Sequence, residues 1–448
     1  MIESLLIANR GEIARRIIRT ARRLGIRTIA VHSDIDAELP FVTEADEAVE
    51  IGAAAPAESY RNAERVLAAA VKTGAAAIHP GYGFLSENAE FARRVREAGL
   101  VWVGPDPDVI DLMGDKINAR NAVAATGMPV APGTTDPVTD EAAAVEAAHA
   151  VGYPLMVKAS AGGGGMGMGI AHDEAELRKQ YAAVSGFAAR MFSDPGVLLE
   201  RYYPAARHIE VQILGLADGT VVALGERNCS VQRRNQKLVE ESPSPALDPA
   251  LRARMLTAAV EAGKAVGYRN AGTVECLVHG EQGAQDFVFL EMNTRLQVEH
   301  PVTEAVYGID LVEEQLRIAS GLSPSTDLTR LRPRGHAVEF RVNAEDPARF
   351  LPGPGAVTRW EEPIGLPGVR VDSGYTEGTK VTPAYDSLMA KLIVHADTRE
   401  EALTRARAAL ASFAISGPKN NLPFFTELLD EPTFTDGTYT TGIVAKMR

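Results

Sequence analysis

The stretch "EMNTRLQVEHPVTE" at residues 291–304 places Glu291, Asn293, Arg295, Gln297 and Glu299 at every second position, with Met292, Thr294, Leu296 and Val298 between them. On a strand, alternate side chains share a face, so one surface would carry two carboxylates, two amides and a guanidinium. Glu and Asn suit a hard cation, whereas Arg and Gln suit a small anion. A solvated sheet edge is the plain alternative, but the residues just before, "FVFL", are continuously apolar and bring the strand out of a buried sheet. At roughly 3.3 Å per residue, a straight strand would part Glu291 and Glu299 by about 26 Å. One compact site therefore requires a turn after about Asn293, a strand end running into a folded-back loop.

Other groups could serve the same chemistry. "KASAGGGGMGMG" at 158–169 contains a formal G-x-G-x-x-G from Gly162 to Gly167, but a strand follows where a dinucleotide fold needs a helix. No Walker A sequence is present. A glycine loop between two strands, with Lys158 at the end of the first, can still present backbone N–H groups to phosphate oxygens; a ligand-free hairpin tip is the alternative. "MGDK" puts Lys116 ahead of a helix, and "SVQRRNQKLVEE" gathers Gln232, Arg233, Arg234 and Lys237 near a strand end. A basic run of that kind is often only a solvated surface. Glu275 lies in the apolar strand "GTVECLV", a costly place for an unpaired carboxylate. A Mg²⁺ ion shared with Glu291 and Asn293 would remove that cost, as would a buried arginine partner.

The elements that must position these groups follow from periodicity. "SLLIA", "NRGEIARRIIRTARRLG" and "RTIAVHS" read as strand, helix and strand of a parallel βαβ unit. "AAAIHPGYGFLSENAEFARRVREAG" and "LVWVGP" continue that rhythm. From about 114 the pattern changes to an Ala-rich helix (140–150), "YPLMVKAS", "MGIAHD", "HIEVQILG", "TVVALGERNCSVQ", a helix from "DPALRARM", then "GTVECLVHG" and "FVFLEMN", an antiparallel α+β arrangement. Residues 320–335 read as a linker, and a third region mixes "HAVEFRVNAE" and "GVRVDSG" with the helix "REEALTRARAALASF". A chain of 448 residues accommodates two or three domains, and 46% hydrophobic with 23% charged residues is a globular composition. A net charge of −13 argues against nucleic acid and anionic membranes as partners. Two cysteines, no signal-like start and no membrane-length apolar run lead to a cytoplasmic expectation.

Together "HPGYGFLSENAEFA", "GDK", "KASAGGGG", "RHIEVQIL", "SVQRRNQKLVEESPSP", "EMNTRLQVEHPVTE", "RGHAVEFRVNAEDP" and "GVRVDSG" resemble biotin carboxylase, the ATP-grasp component of biotin-dependent carboxylases such as acetyl-CoA and propionyl-CoA carboxylase. The resemblance runs in order along essentially the whole chain. It implies an α/β and α+β multidomain protein: a Rossmann-like N-terminal domain at 1–113, an ATP-grasp domain at 114–322 with a mobile lid at about 131–203, and a mixed α+β C-terminal domain at 335–444. It assigns ATP to Lys116, Lys158, the glycines Gly162, Gly163, Gly164, Gly165 and Gly167, and Glu200, His208, Gln232 and Asn235. Glu275, Glu291 and Asn293 match metal ligands for Mg²⁺ or Mn²⁺. Lys237, Arg295, Gln297, the backbone of Val298, and Glu299 match a bicarbonate pocket, Glu299 being the general base. Arg341 matches the group facing the biotin enolate and Tyr82 a biotin contact.

The chemistry so implied is a ligase reaction: bicarbonate and ATP form carboxyphosphate, which carboxylates biotin and leaves ADP and phosphate. The expected partners are a biotin carboxyl carrier protein, a second copy in a homodimer, and the carboxyltransferase component, in a setting such as fatty acid biosynthesis. Biotin is expected on a separate carrier or on a further part of the same protein, since Lys446 in the closing "AKMR" lacks the surrounding domain of a biotinylated lysine. The family commonly has a basic residue where Met166 stands, a histidine at Asn235 and an aspartate at Asn228. Another ATP-grasp carboxylate–amine ligase and a catalytically silent nucleotide-binding scaffold are the competing readings. The bicarbonate set and the third region speak against the first, and intact Glu299, Lys237 and Arg341 against the second.

Overall fold

A computed structural model describes residues 1–160, 167–192, 194–281 and 283–448. The βαβ rhythm produces a five-stranded parallel sheet of β1 (Ser4–Ile7), β2 (Arg27–Ser33), β3 (Glu47–Gly52), β4 (Ala77–His79) and β5 (Val101–Trp102), ordered β3-β2-β1-β4-β5. The helix Gly11–Arg23 lies against it through Ile13, Ala14, Ile17, Ile18 and Ala21. The turn after β4 is held from inside. Asn9 Nδ2 donates to the carbonyls of Pro80 and Tyr82, both at 2.7 Å, and a Cβ on Gly81 would stand 2.9 Å from that same nitrogen. The Gly81 N–H donates to His79 Nδ1 at 3.0 Å, which leaves Nε2 to donate to Gln315 Oε1 at 3.2 Å. Burial lowers the His79 pKa to about 4, so the ring is neutral and the turn carrying Tyr82 is fixed.

Next comes a small three-stranded sheet, β6 (Leu155–Ala159) between β7 (Met168–Ala171) and β8 (Val197–Arg201). The helices Glu141–Val151 and Glu174–Phe192 belong to the same unit. Ala144, Ala148, Leu155, Val157, Leu177 and Leu199 form a core separate from the others. β8, which carries Glu200, is too short an apolar run to stand out in the sequence.

The remaining long strands are β9 (Arg207–Gly215), β10 (Val221–Arg233), β11 (Gln236–Ser242), β12 (Asn270–His279), β13 (Asp286–Asn293), β14 (His336–Asn343), β17 (Val369–Ser373) and β19 (Leu388–Ala396). Two short ribbons accompany them: β15 (Gly355–Ala356) with β18 (Lys380–Val381), and β16 (Arg359–Glu361) with β20 (Ala414–Ser416). The long strands make one antiparallel sheet, β13-β12-β9-β10-β11-β14-β19-β17. Hydrogen bonding thus crosses without a break from the second region into the third through the β11–β14 pairing, although the residues at 320–335 read as a linker between separate units. The largest apolar core is likewise shared, running from Ile7 and Ile17 through Leu214 and Leu224 to Phe340, Leu392 and Phe425.

Glu241 on β11 clamps this junction. Buried, it accepts from Tyr439 Oη at 2.5 Å and Arg399 Nε at 2.7 Å, and His336 Nε2 lies 2.6 Å away. Burial alone would raise its pKa, but His336 and Arg399 outweigh that and hold it at about 2. Breaking a buried pair of this kind costs about 3–5 kcal/mol. Glu241→Gln is expected to lower the melting temperature at neutral pH. The difference from the parent should shrink as pH falls from the free carboxylate range toward 2, where the parent's Glu241 also protonates. Thermal unfolding at several pH values checks both statements.

Candidate active site

A row of charge crosses the large sheet. Glu291 on β13 stands in register with Glu275 on β12, Glu275 with Glu210 on β9, and Glu210 with Arg227 on β10. A register shift at Glu275 and Cys276 bends the strand here and re-aims its side chains. Like charges directly opposite one another repel, so the row needs cations. Arg227, wholly buried, donates through Nε to Glu210 at 2.5 Å, and its other nitrogens go to Gln212 (2.7 Å), Thr303 (2.9 Å) and Thr273 (3.1 Å). Lys237, from β11, meets three carboxylates at once: Glu210 at 2.6 Å, Glu299 at 2.7 Å and Glu275 at 2.8 Å.

Glu299 arrives from the loop. β13 ends at Asn293, the chain turns through 294–299, and the helix His300–Tyr307 begins directly after Glu299. His300 Nδ1 donates to the Gln297 carbonyl at 2.7 Å and pins the turn. The folded-back loop expected from the alternating polar residues is therefore present. Within it Arg295 donates to Gln297 Oε1 (2.6 Å), Asn293 Oδ1 (2.9 Å) and Glu87 Oε2 (3.1 Å), while Asn293 and Gln297 donate their amides to Glu275 at 2.8 and 2.9 Å. Arg341 on β14 closes the far side, donating to Glu299 Oε2 at 2.9 Å and Glu240 at 2.6 Å. Tyr82 reaches the same side of the site and donates to Glu12.

These contacts fix protonation. Burial opposes the charge of Lys237, but Glu210, Glu275 and Glu299 outweigh it and hold the ammonium well above the ordinary lysine range. Burial would also raise Glu299, yet Lys237, Arg341 and Arg227 hold it well below the usual carboxylate range. Glu299 is therefore an ionised carboxylate at neutral pH, able to accept a proton. Cys229 Sγ lies 3.7 Å from Glu299. Burial and Glu210 push its thiol well up, so it stays protonated and is no nucleophile.

The residues expected to hold the nucleotide lie on several elements. Lys158 pairs with Glu200 across β6 and β8, and Lys116 Nζ donates to the Ala159 carbonyl at 3.3 Å. Burial, then the charge of Lys158, lowers the Lys116 pKa. Gly167 has a left-handed φ of +66° and comes so close to Phe187 that a Cβ would stand 2.9 Å from the ring. Gly162, Gly163, Gly164, Gly165 and Met166 lie outside the described residues. Gln232 faces Lys237 in the β10–β11 pairing, and Asn235 is exposed at the tip of that hairpin with φ +67°. Arg233 instead stacks over Phe350 at 4.9 Å. His208 stands with Nε2 2.8 Å from Glu275 Oε2, beside the acidic row.

For a metal, two donor groups among the described residues bring ligand atoms within 4.8 Å of one another: His208, Glu210 and Glu275, and Glu210, Cys229 and Glu299. Glu210 is already committed to Arg227 and Lys237. Glu291, by contrast, is exposed to solvent opposite Glu275. Two facing carboxylates with an amide oxygen nearby fit a hard divalent cation.

Sequence reasoning missed Glu210, Arg227, Glu240 and Glu87. The first two were accessible by the argument applied to Glu275, a charge within a buried strand. Glu210 was hidden because "HIEVQI" alternates like a half-exposed strand, whereas both faces of β9 are buried.

A separately cored unit carrying Lys158 beside an antiparallel sheet carrying Lys237 and a row of carboxylates is the arrangement of an ATP-grasp ligase. Residues 115–326 match the family model for the carbamoyl-phosphate synthase L chain ATP-binding domain. Residues 1–110 and 339–446 match the biotin carboxylase N-terminal and C-terminal domain models. The chain is 50% identical over 444 residues to the biotin carboxylase of Halalkalibacterium halodurans, covering 99% of this chain and 97% of that one. It is 46% identical over 457 residues to a pyruvate carboxylase subunit of Methanothermobacter thermautotrophicus, covering 100% and 92%. The biotin carboxylase domain dimer of the Hydrogenobacter thermophilus 2-oxoglutarate carboxylase, solved with MgADP, ADP and bicarbonate, superposes with a TM-score of 0.95 at 44% identity, covering 100% of this chain and 98% of that one. The chain belongs to the biotin carboxylase family.

Lys237→Met would leave Glu210, Glu275 and Glu299 facing one another without their shared cation. The Glu275 and Glu299 pKa values should rise, so the variant loses stability as pH climbs through that range. The gap in melting temperature between parent and variant is expected to be wide at pH 8 and narrower at pH 5.

Proposed function

We propose that this biotin carboxylase activates bicarbonate in the pocket bounded by Lys237, Arg295, Gln297, the Val298 backbone and Glu299, and transfers its carboxyl group to biotin on a carrier protein. The observation that carries the reading is the convergence of Lys237 and Arg341 on opposite oxygens of Glu299, at 2.7 and 2.9 Å. One ionised carboxylate lies between a cation facing the acidic row and a cation facing Tyr82. A proton taken by Glu299 from bicarbonate leaves a nucleophilic oxygen held by Arg295, Gln297 and Lys237. That oxygen attacks the γ-phosphorus of ATP in line, and ADP departs. Lys116 and Lys158 spread the phosphate charge, Lys158 exchanging Glu200 for phosphate oxygens. Glu275, Glu291 and Asn293 would hold a divalent cation, which when bound supplies charge compensation to those oxygens.

Carboxyphosphate gives CO₂ and phosphate, phosphate takes the N1 proton of biotin, and the nitrogen attacks CO₂. Arg341 stabilises the enolate and Tyr82 flanks the ring. Water must be kept out, the task assigned to the separately cored unit at about 131–203 as a closing lid. The division at 1–113, 114–322 and 335–444 is supported by the three family matches, although the large sheet spans the last two parts.

Partners follow from the reaction: a biotin carrier, a carboxyltransferase that selects the final acceptor, and a second copy of this chain in a homodimer. Relatives named for pyruvate and 2-oxoglutarate carboxylases accompany those named simply biotin carboxylase, so fatty acid synthesis is one setting among several. No helix among the described residues is long and apolar enough to cross a membrane, and both cysteines are free and buried; the latter fits a reducing cytoplasm.

Phosphate release and carboxybiotin formation, measured in parallel with bicarbonate and biotin omitted in turn, test the reading. ATP turnover should require bicarbonate and rise with free biotin. Glu299→Gln should abolish both activities. Arg341→Ala should keep a substantial part of phosphate release but lose carboxybiotin by about a hundred- to thousandfold, the effect of removing one transition-state contact. Equal loss of both in Arg341→Ala would assign that arginine to phosphoryl transfer, and turnover driven by an amino acid would indicate an amine ligase.

Glu275→Gln and Glu291→Gln are each expected to raise the Mg²⁺ concentration needed for half-maximal rate. Parent-like rates in both at limiting Mg²⁺ would remove these residues from the metal site.

A further inference from the structure

Lys391 on β19 is wholly buried and has no part in the steps above. It stands opposite Arg341 in the β14–β19 register, so two cations lie side by side at the edge of the site. Its Nζ donates to the Val298 carbonyl at 2.9 Å and lies 3.1 Å from Glu12 Oε2. The other oxygen of Glu12 accepts the bond from Tyr82. Asp372 neighbours Lys391 on β17, but Arg370 at 2.5 Å and Arg19 at 2.8 Å already engage it. The line Tyr82–Glu12–Lys391–Val298 therefore crosses all three regions, every link polar. It starts at the biotin contact and ends on the peptide that precedes Glu299.

We infer that Lys391 is a positioning residue coupling the biotin side of the site to the bicarbonate pocket. The inference rests on the reading of Tyr82 and of residues 298–299 given under Proposed function. Biotin packed against Tyr82 restricts the phenol, and through it Glu12. That leaves Lys391 bound to the Val298 carbonyl, with the Val298 N–H and Glu299 set for bicarbonate. Without biotin, Glu12 is free to draw Lys391 away and the wall is looser. Such coupling is reciprocal: biotin tightens bicarbonate by the factor by which bicarbonate tightens biotin. A purely mechanical rivet between regions would affect stability and leave that factor alone.

The test is bicarbonate-dependent phosphate release by the full chain, with and without free biotin, for Lys391→Met, Glu12→Gln and the double variant, which removes both charges. The parent chain is the control. If its phosphate release needs no bicarbonate or ignores biotin, the proposed function fails and not this inference. Given a responsive parent, Lys391→Met should lose the stimulation by biotin. Its KM for bicarbonate should rise about tenfold, the effect of one charge-assisted hydrogen bond, with the KM for MgATP unchanged. Glu12→Gln should also lose the stimulation by biotin, but with nothing to draw Lys391 from Val298 its KM for bicarbonate should stay at or below the parent's. Should Lys391→Met fail to fold because Glu12 is left unpaired, the double variant or Glu12→Gln alone decides the matter. A folded variant that keeps the parent's ratio of biotin-stimulated to basal rate overturns the inference, as does a uniform rise in KM for every substrate.

Discussion

One ammonium holds the site together. Lys237 lies within 2.8 Å of carboxylates from β9, β12 and the loop after β13. Each of those strands is buried, so each carboxylate would be costly without a partner. The cation settles where Glu299 sits, keeps it ionised, and ties the loop to the sheet. Arg227 and Arg341 repeat the device at the two ends, on Glu210 and Glu299. The result is a chain of alternating charge in which a small anion can replace a carboxylate as the partner of a cation. On the proposed reading, bicarbonate would bind by taking Lys237 and Arg295 as partners in place of some of these carboxylates and amides.

The sheet makes this possible because it is continuous. Eight antiparallel strands bring Glu275 and Arg341, which lie in different sequence regions, onto one scaffold whose spacing is set by backbone hydrogen bonds. The small three-stranded unit has a core of its own. On the proposed reading, this small unit would cover the nucleotide while the large sheet holds the reacting groups, a division that suits a water-sensitive intermediate.

Much of this was legible in the sequence. The parallel first sheet followed from the alternation of apolar strands and amphipathic helices. The turn after Asn293 followed from distance alone, since no straight strand could bring Glu291 and Glu299 together. Glu275 was conspicuous because a charge interrupts an apolar strand. Less legible were features that depend on distant pairing. β11 meets β14 across nearly a hundred residues, and local periodicity carries no record of that register. The partners of Lys237 were hidden for the same reason, and the family resemblance supplied its role before any geometry did. His208, which the resemblance assigns to ATP, stands beside Glu275 in the acidic row, a pairing that local periodicity could not show. Lys391 was invisible in "LMAKLIVHA", where one lysine in a strand reads as a solvated end.

The central claim is that an oxygen of bicarbonate, once Glu299 has taken its proton, attacks the γ-phosphorus of ATP. Phosphate released from ¹⁸O-labelled bicarbonate in unlabelled water, analysed by mass spectrometry, tests it directly. The account predicts one bicarbonate-derived oxygen in each phosphate released in the presence of biotin. Phosphate carrying oxygen from water alone would mean that water is the nucleophile, and would contradict the assignment of the Lys237, Arg295 and Glu299 pocket to bicarbonate.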